Sequence, residues 1–265
     1  MKTQKRPWLA LISVGVIFLL YLPSVAVAVF SVNDTKFGLS WKGFTLRWYT
    51  QLANNEYILQ AALNSLILAA VSTALATILG TALALGLDRA PWPKSAHKVI
   101  DLIINLPVVV PDIIMAVALT LAFSALRFFS SLFDLGLGSL IIGHVTFQIS
   151  FVTLVVRSRL ATLNKETDEA ARDLYASSFY LFYRVTLPLI TPGVLAGAMM
   201  AFTLSLDDFI ISFFAHGPES VTLPIFIYSS LKRGLSPEIY ALSTVMLLAT
   251  VILVIAAERI TRKIA

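Results

Sequence analysis

Four carboxylates interrupt the apolar runs of this sequence: Asp112, Asp207 and Asp208 lie well inside such runs, and Asp101 lies near the end of one. A carboxylate at bilayer depth costs about 2.5–3.5 kcal/mol even on a lenient insertion scale. The run Leu206-Asp207-Asp208-Phe209 incurs that cost twice, and no Lys or Arg in the same spans offers a counter-ion. Fixed negative charge in a low-dielectric path suits a cation, organic or inorganic. The plainer alternative is a neutral acid, or one that caps a broken helix by accepting its freed N–H groups; Asp112, directly after Pro111, fits that description best. Neighbouring residues on a helix point about 100° apart, so Asp207 and Asp208 share one cavity only if it is wide or the helix is distorted.

A second group of residues suits docking rather than chemistry. From Ala161 to Leu187 the chain is polar enough for water yet patterned as two short helices. Asn164 or Thr167 can cap the first, and Asp168 and Glu169 place negative charge in its first turn, where the helix dipole favours it. Glu169, Asp173 and Ser177 share one face at i, i+4 spacing; Ala170, Ala171 and Leu174 form another, shallow enough for close approach. The second helix, Ser178–Val185, presents Phe179, Phe182 and Tyr183, and Pro188 marks entry to the next span. Aromatics on a water-facing helix call for a groove to fill, unless the linker simply lies on the bilayer.

The elements that must position these residues are membrane spans. The chain has 265 residues, 58% hydrophobic and 13% charged, with a mean hydropathy of +0.84. A soluble domain is about 45–50% apolar and about 25% charged, so the class is integral membrane. Run length makes it α-helical, because barrel strands need only about 9–11 alternating residues. The reading is six spans: Trp8–Val32, Tyr57–Leu87, Val99–Leu126, Leu140–Val156, Leu189–Phe214 and Ile239–Ala257, in a single transmembrane domain over residues 1–265 with the polar loop at 161–188. Pro107 and Pro111 should kink or unwind the third span. The first run is too long for a signal peptide and lacks a polar exit, so it is expected to remain as a span.

With the N-terminus inside, fourteen Lys and Arg fall on the inner side and six on the outer side, which sets both termini in the cytoplasm. The net charge of +5 follows from that bias and is no evidence for nucleic acid. Trp41, Phe44, Trp48, Tyr49 and Tyr57 are expected at headgroup level. The loop Phe128–Gly138 is expected to hold a short interfacial helix, and the apolar stretch Thr222–Leu231 to be re-entrant or packed on other helices. Gly80, Ala82, Ala84 and Gly86 are expected to permit close helix packing. His144 is expected to be a hydrogen-bonded packing residue; the three histidines are dispersed and cysteine is absent, so a metal site has no support. No Walker motif occurs, so the chain is not expected to hydrolyse ATP.

Glu169-Ala170-Ala171, the position of Tyr175, and Val185-Thr186-Leu187-Pro188 together resemble the EAA loop of ABC-importer permeases. The departure is Tyr175, where that family usually has glycine. A wider set of matches resembles the second permease of spermidine/putrescine ABC importers. It comprises Phe202 to Phe209, Gly217-Pro218, Thr222-Leu223-Pro224, Tyr228-Ser229, Gly234, Ser236 to Ile239 and Ala241 to Thr244. Phe37-Gly38, Trp41 to Thr45, Pro111-Asp112-Ile113 and His144 to Phe147 belong to the same set, while Tyr240 stands where the family commonly has asparagine. The resemblance covers almost the whole chain. It implies a permease with a coupling hairpin between spans four and five, in which Glu169, Ala170, Ala171, Asp173, Leu174, Tyr175, Leu187 and Pro188 meet an ATPase and Asp112, Asp207 and Asp208 meet a polyamine. It further implies a second six-span permease as heterodimer partner, two copies of a cytoplasmic ATPase that carry ATP and Mg, an external binding protein, and no cofactor on this chain. Another small organic cation as cargo, an ATPase-independent cation transporter, and an intramembrane aspartyl protease are the rival readings. The last lacks a glycine-flanked aspartate of the usual kind.

Overall fold

The computed structural model describes residues 7–35, 40–163, 171, 173, 175–233 and 237–264. Ten α-helices of six or more residues organise them: α1 Pro7–Phe30, α2 Arg47–Ala53, α3 Glu56–Arg89, α4 Lys94–Val109, α5 Asp112–Leu126, α6 Leu137–Leu160, α7 Leu187–Asp207, α8 Ile210–Ala215, α9 Leu223–Arg233 and α10 Pro237–Ile264. Four stretches are long and apolar enough to cross a membrane, and a fifth span results if α4 and α5 are taken together. The expected sixth span falls on α10, whose apolar part is Pro237–Ile252. At 1.5 Å per residue α3 is about 51 Å long, well beyond a hydrocarbon core of about 30 Å, so it tilts or extends into water.

Proline sets the expected break in the third span. Pro107 is accommodated inside α4, whereas Pro111 drives Val110 to an extended conformation (φ −74°, ψ 132°) and the axis turns by 111°. The expected fifth span is also not continuous. Helix α7 ends at Asp207, Asp208 is extended (ψ 123°), and the short α8 follows from Ile210.

The described residues divide into two compact units. The first comprises residues 1–59 and 227–256. Within it Asn33 is fully buried: its side chain donates to the Ser40 carbonyl and accepts from Lys42 N–H, both at 2.9 Å. The Trp48 indole donates to the Asn33 carbonyl at 2.8 Å. Trp48 is therefore a core residue of this loop, while Trp41, Phe44 and Tyr57 are exposed.

The second unit, residues 60–226 and 257–265, is built around α6. Its main apolar cluster joins Ala76 and Ala84 of α3 with Val152, Val156 and Leu160 of α6 and Ile190 and Ala201 of α7. Small residues on α7 allow the approach: a Cβ on Gly193 would lie 2.6 Å from Arg159 Cβ, and one on Gly197 3.4 Å from Val152 Cα. Gly80 of α3 behaves as expected, with Val152 Cβ 2.8 Å from where its own Cβ would be, but Gly86 faces open space and Ala82 is exposed. The loop between α5 and α6 holds only a 3₁₀ turn, Ser131–Phe133, capped by Ser130 Oγ. The apolar stretch near Thr222 forms the start of α9, fixed by the Leu223 N–H to Ser65 Oγ bond (2.8 Å) and by Asn64 Nδ2 donating to the carbonyls of Glu219 and Val221.

Candidate functional site

The pair Asp207-Asp208 sits at the α7–α8 break, and the break separates the two side chains. Asp208 caps α8: its carboxylate accepts from Ser212 N–H (2.8 Å) and Ile211 N–H (3.3 Å). Its side chain is only 10% exposed and lies 3.3 Å from Nε2 of His144, which is completely buried on α6. His144 Nε2 also meets Ser212 Oγ at 3.1 Å, and Nδ1 meets Ser205 Oγ of α7 at 2.8 Å. A carboxylate only accepts, so the ring proton belongs on Nε2; a neutral ring then accepts the Ser205 hydroxyl at Nδ1. Ser205 in turn meets Ser72 Oγ of α3 at 3.3 Å. One histidine thus ties α3, α6, α7 and α8 together at the level of the break.

Asp207, the last residue of α7, is exposed, and so is Asp112, the first residue of α5. Pro111 occupies the N-cap position of α5 and no side chain caps that helix, so the capping alternative applies to Asp208 and not to Asp112. Helices α5 and α8, which follow the two breaks, pack on each other. Thr120 Oγ1 of α5 reaches the Phe214 carbonyl of α8 at 3.3 Å, and one turn earlier Ala116 and Ile211 share an apolar cluster with Phe147. Asp101 is separate: it accepts from Arg157 Nη1 at 2.6 Å in a cavity of about 610 Å³ that Asp88, His97, Asn105 and Ser158 also line. Among the described residues no three His, Asp or Glu side chains converge as a metal site.

In the hairpin, Glu169, Ala170 and Leu174 lie outside the described residues. Ala171 and Asp173 are helical, and Tyr175 has φ +59°, the one left-handed non-glycine among those described. Ala176 N–H donates to the Ala171 carbonyl at 3.1 Å, the six-to-one bond of a helix ending in a left-handed residue. The place where glycine is usual is thus a helix C-terminal stop, and Tyr175 takes it at a strain of roughly 1–2 kcal/mol. Its ring is 97% exposed. Ser177, expected on the face of the first helix, instead caps the second, accepting from Tyr180 N–H. That second helix is α-helical only over Ser178–Tyr180; Leu181–Thr186 form a π-turn before Leu187 and Pro188 open α7. Phe179 and Tyr183 stack in parallel, with ring centres 6.2 Å apart, and both are exposed.

Two exposed acids thus stand at helix breaks, and a third acid caps the helix that follows one of them. Comparison with known proteins agrees with a transport role. The Spermidine/putrescine transport system permease protein PotC of Escherichia coli (strain K12) is 40% identical over 243 residues, covering 92% of this chain and 89% of that protein. The Putrescine transport system permease protein PotI of the same organism is 37% identical over 245 residues, covering 92% and 86%. Among solved structures, a bacterial ABC transporter involved in import of the acidic polysaccharide alginate shares the fold, with a TM-score of 0.77, 18% identity, and coverage of 98% of this chain and 97% of that one. The family described as binding-protein-dependent transport system inner membrane component matches residues 76–265. On the strength of that match and of relatives aligned along nine-tenths of its length, the chain belongs to this family of multi-pass inner-membrane permeases.

Proposed function

We propose that this chain is one of two permease subunits of an ATP-driven importer of polyamines of the spermidine/putrescine class. The observation that carries the reading is the 40% identity to a spermidine/putrescine permease across 92% of the chain. The site adds chemical support. A di- or tri-ammonium ion sheds hydration on leaving water, and exposed Asp112 and Asp207 offer fixed charge at two helix breaks, with Asp208 adding field while its oxygens hold α8 and His144. Such a site should bind weakly, since tight binding slows release.

The partners follow from the same reading: a related six-span permease, two copies of a cytoplasmic ATPase that bind ATP and Mg, and an external protein that delivers the polyamine. Both termini lie in the cytoplasm, with the inner excess of Lys and Arg as support. ATP closes the ATPase pair, the hairpin 161–188 carries that motion into the spans, and the acids change side. Each ligand must favour one state over the other for this to work, because equal affinity for both shifts nothing.

The test is to purify the tagged chain from its native membrane, identify co-purifying subunits by mass spectrometry, and measure labelled spermidine and putrescine uptake into proteoliposomes. ATP-dependent uptake with an ATPase present is the expected result. Uptake that proceeds without any ATPase would establish a cation transporter of another kind, and an organic cation that spermidine and putrescine fail to displace would change the cargo.

A further inference from the structure

Three arginines gather where the helices approach the hairpin, and each grips a different element. Arg157 of α6 holds Asp101 of α4 at 2.6 Å. Arg159 of α6 donates through Nε to the Leu189 carbonyl of α7 at 3.0 Å, its methylenes lying across Gly193. Arg89, the last residue of α3, donates through Nη2 to Thr186 Oγ1 at 2.5 Å. A bias of basic residues toward one side of a membrane requires only their charge. It does not require a guanidinium to reach a buried hydroxyl on another element.

Thr186 is 1% exposed and closes the π-turn that joins the hairpin to α7. Its hydroxyl accepts from Arg89 and donates to the Leu181 carbonyl, five residues back, at 3.3 Å. That second bond spans the π register and not the α register. A π-turn is an uncommon, wider coil that recurs at functional sites. Losing its extra residue would rotate the hairpin by about 100° relative to α7. Arg89 therefore bonds to the residue that closes this joint, and it does so from the end of the second span.

We propose that Arg89 is a positioning residue for energy coupling: through Thr186 it fixes the π-turn to the end of α3, so that a displacement of the hairpin moves the second span together with α7. The proposal rests on the transport reading above, and its test separates the two. In proteoliposomes holding the purified complex, spermidine uptake and ATP hydrolysis are measured together. Thr186→Val keeps shape and every charge but removes the hydroxyl; uptake per ATP should fall at least about fivefold, the lower range of typical coupling between sites. Thr186→Ser should keep the wild-type ratio. Arg89→Gln combined with Thr186→Val should be no worse than either change alone, because both break one link. Should the valine variant fail to assemble, Arg89→Gln, which leaves the buried threonine in place, decides by the same ratio. A wild-type ratio in these variants, including a parallel fall in uptake and hydrolysis, overturns the proposal and leaves the importer reading standing. Absence of ATP-driven uptake by the wild-type complex removes both.

Discussion

Asp207 and Asp208 are neighbours in sequence but occupy different environments. Asp208 accepts two backbone N–H bonds and lies against buried His144, whereas Asp207 is exposed at the end of its helix. Asp208→Ala leaves the first turn of α8 and the imidazole without their acceptor, which should lower stability by roughly 1–3 kcal/mol. Asp207→Asn should shift it by less than about 0.5 kcal/mol while cutting polyamine uptake, with Asp207→Glu milder because the charge is kept. Thermal unfolding in detergent beside an uptake assay checks both; equal destabilisation by the two variants, or full uptake in Asp207→Asn, would contradict this division. The sequence marks the acids as costly but does not mark which one caps. Capping looks most natural after Pro111, yet a proline ring already fixes the chain there, with φ −55°. At residue 208 no ring does so, and a side chain has to. The partner, His144, comes from sixty-odd residues away on another helix, a pairing that spacing along the chain does not reveal.

Elements were legible where the cause is local. Pro111 announces the break between α4 and α5, because its ring disfavours an α conformation at Val110, which is extended. The break between α7 and α8 has no proline or glycine from 205 to 210 and depends on the Asp208–His144 contact, so the run reads as one continuous span. The packing of α6 on α7 was missed for a related reason: Gly193, Gly197 and Ala201 recur every four residues, but only the facing helix shows what they admit. Gly193→Val would press its side chain into Arg159 Cβ and displace the bond to the Leu189 carbonyl. It should cost about 1–3 kcal/mol, as overpacking generally does, seen as a lower unfolding temperature. Gly86→Ala, which meets nothing within 4 Å, serves as the control and should leave that temperature unchanged or slightly raised, since alanine favours a helix over glycine. Tyr175 tests the hairpin in the opposite direction. Its left-handed backbone favours glycine, so Tyr175→Gly should stabilise the turn by up to about 1 kcal/mol and retain assembly with an ATPase subunit. Lost assembly would show instead that the exposed ring fills a pocket on the partner.

Across the whole molecule, exposed apolar surface falls into two kinds. Along α1, none of the spanning window is buried, and lipid or a neighbouring span suits a surface of leucine and valine. The hairpin differs: Tyr175, Phe179, Tyr180 and Tyr183 are exposed among polar residues, with Asp173 and Arg184 in the same segment, at the polar end of the stretch Ser178–Asp207. Rigid aromatics with a polar tip are the residues that dominate protein interfaces, where a buried anchor is worth at least about 2 kcal/mol. If an ATPase groove takes this surface, Phe179→Ala with Tyr183→Ala should weaken its retention by roughly 30-fold or more, the equivalent of that energy. Membrane insertion should be unaffected, since the 21-residue apolar helix Leu187–Asp207 is left intact and is long enough to span. Glu169→Lys, at the head of the resembled loop, should act the same way by reversing charge at the edge of the interface. Co-purification of the ATPase, read against the amount of permease in the membrane fraction, measures both variants. Retention at wild-type level in both, with substrate-stimulated ATP hydrolysis intact, would mean that these aromatics lie on the bilayer surface and that the ATPase docks elsewhere on the chain.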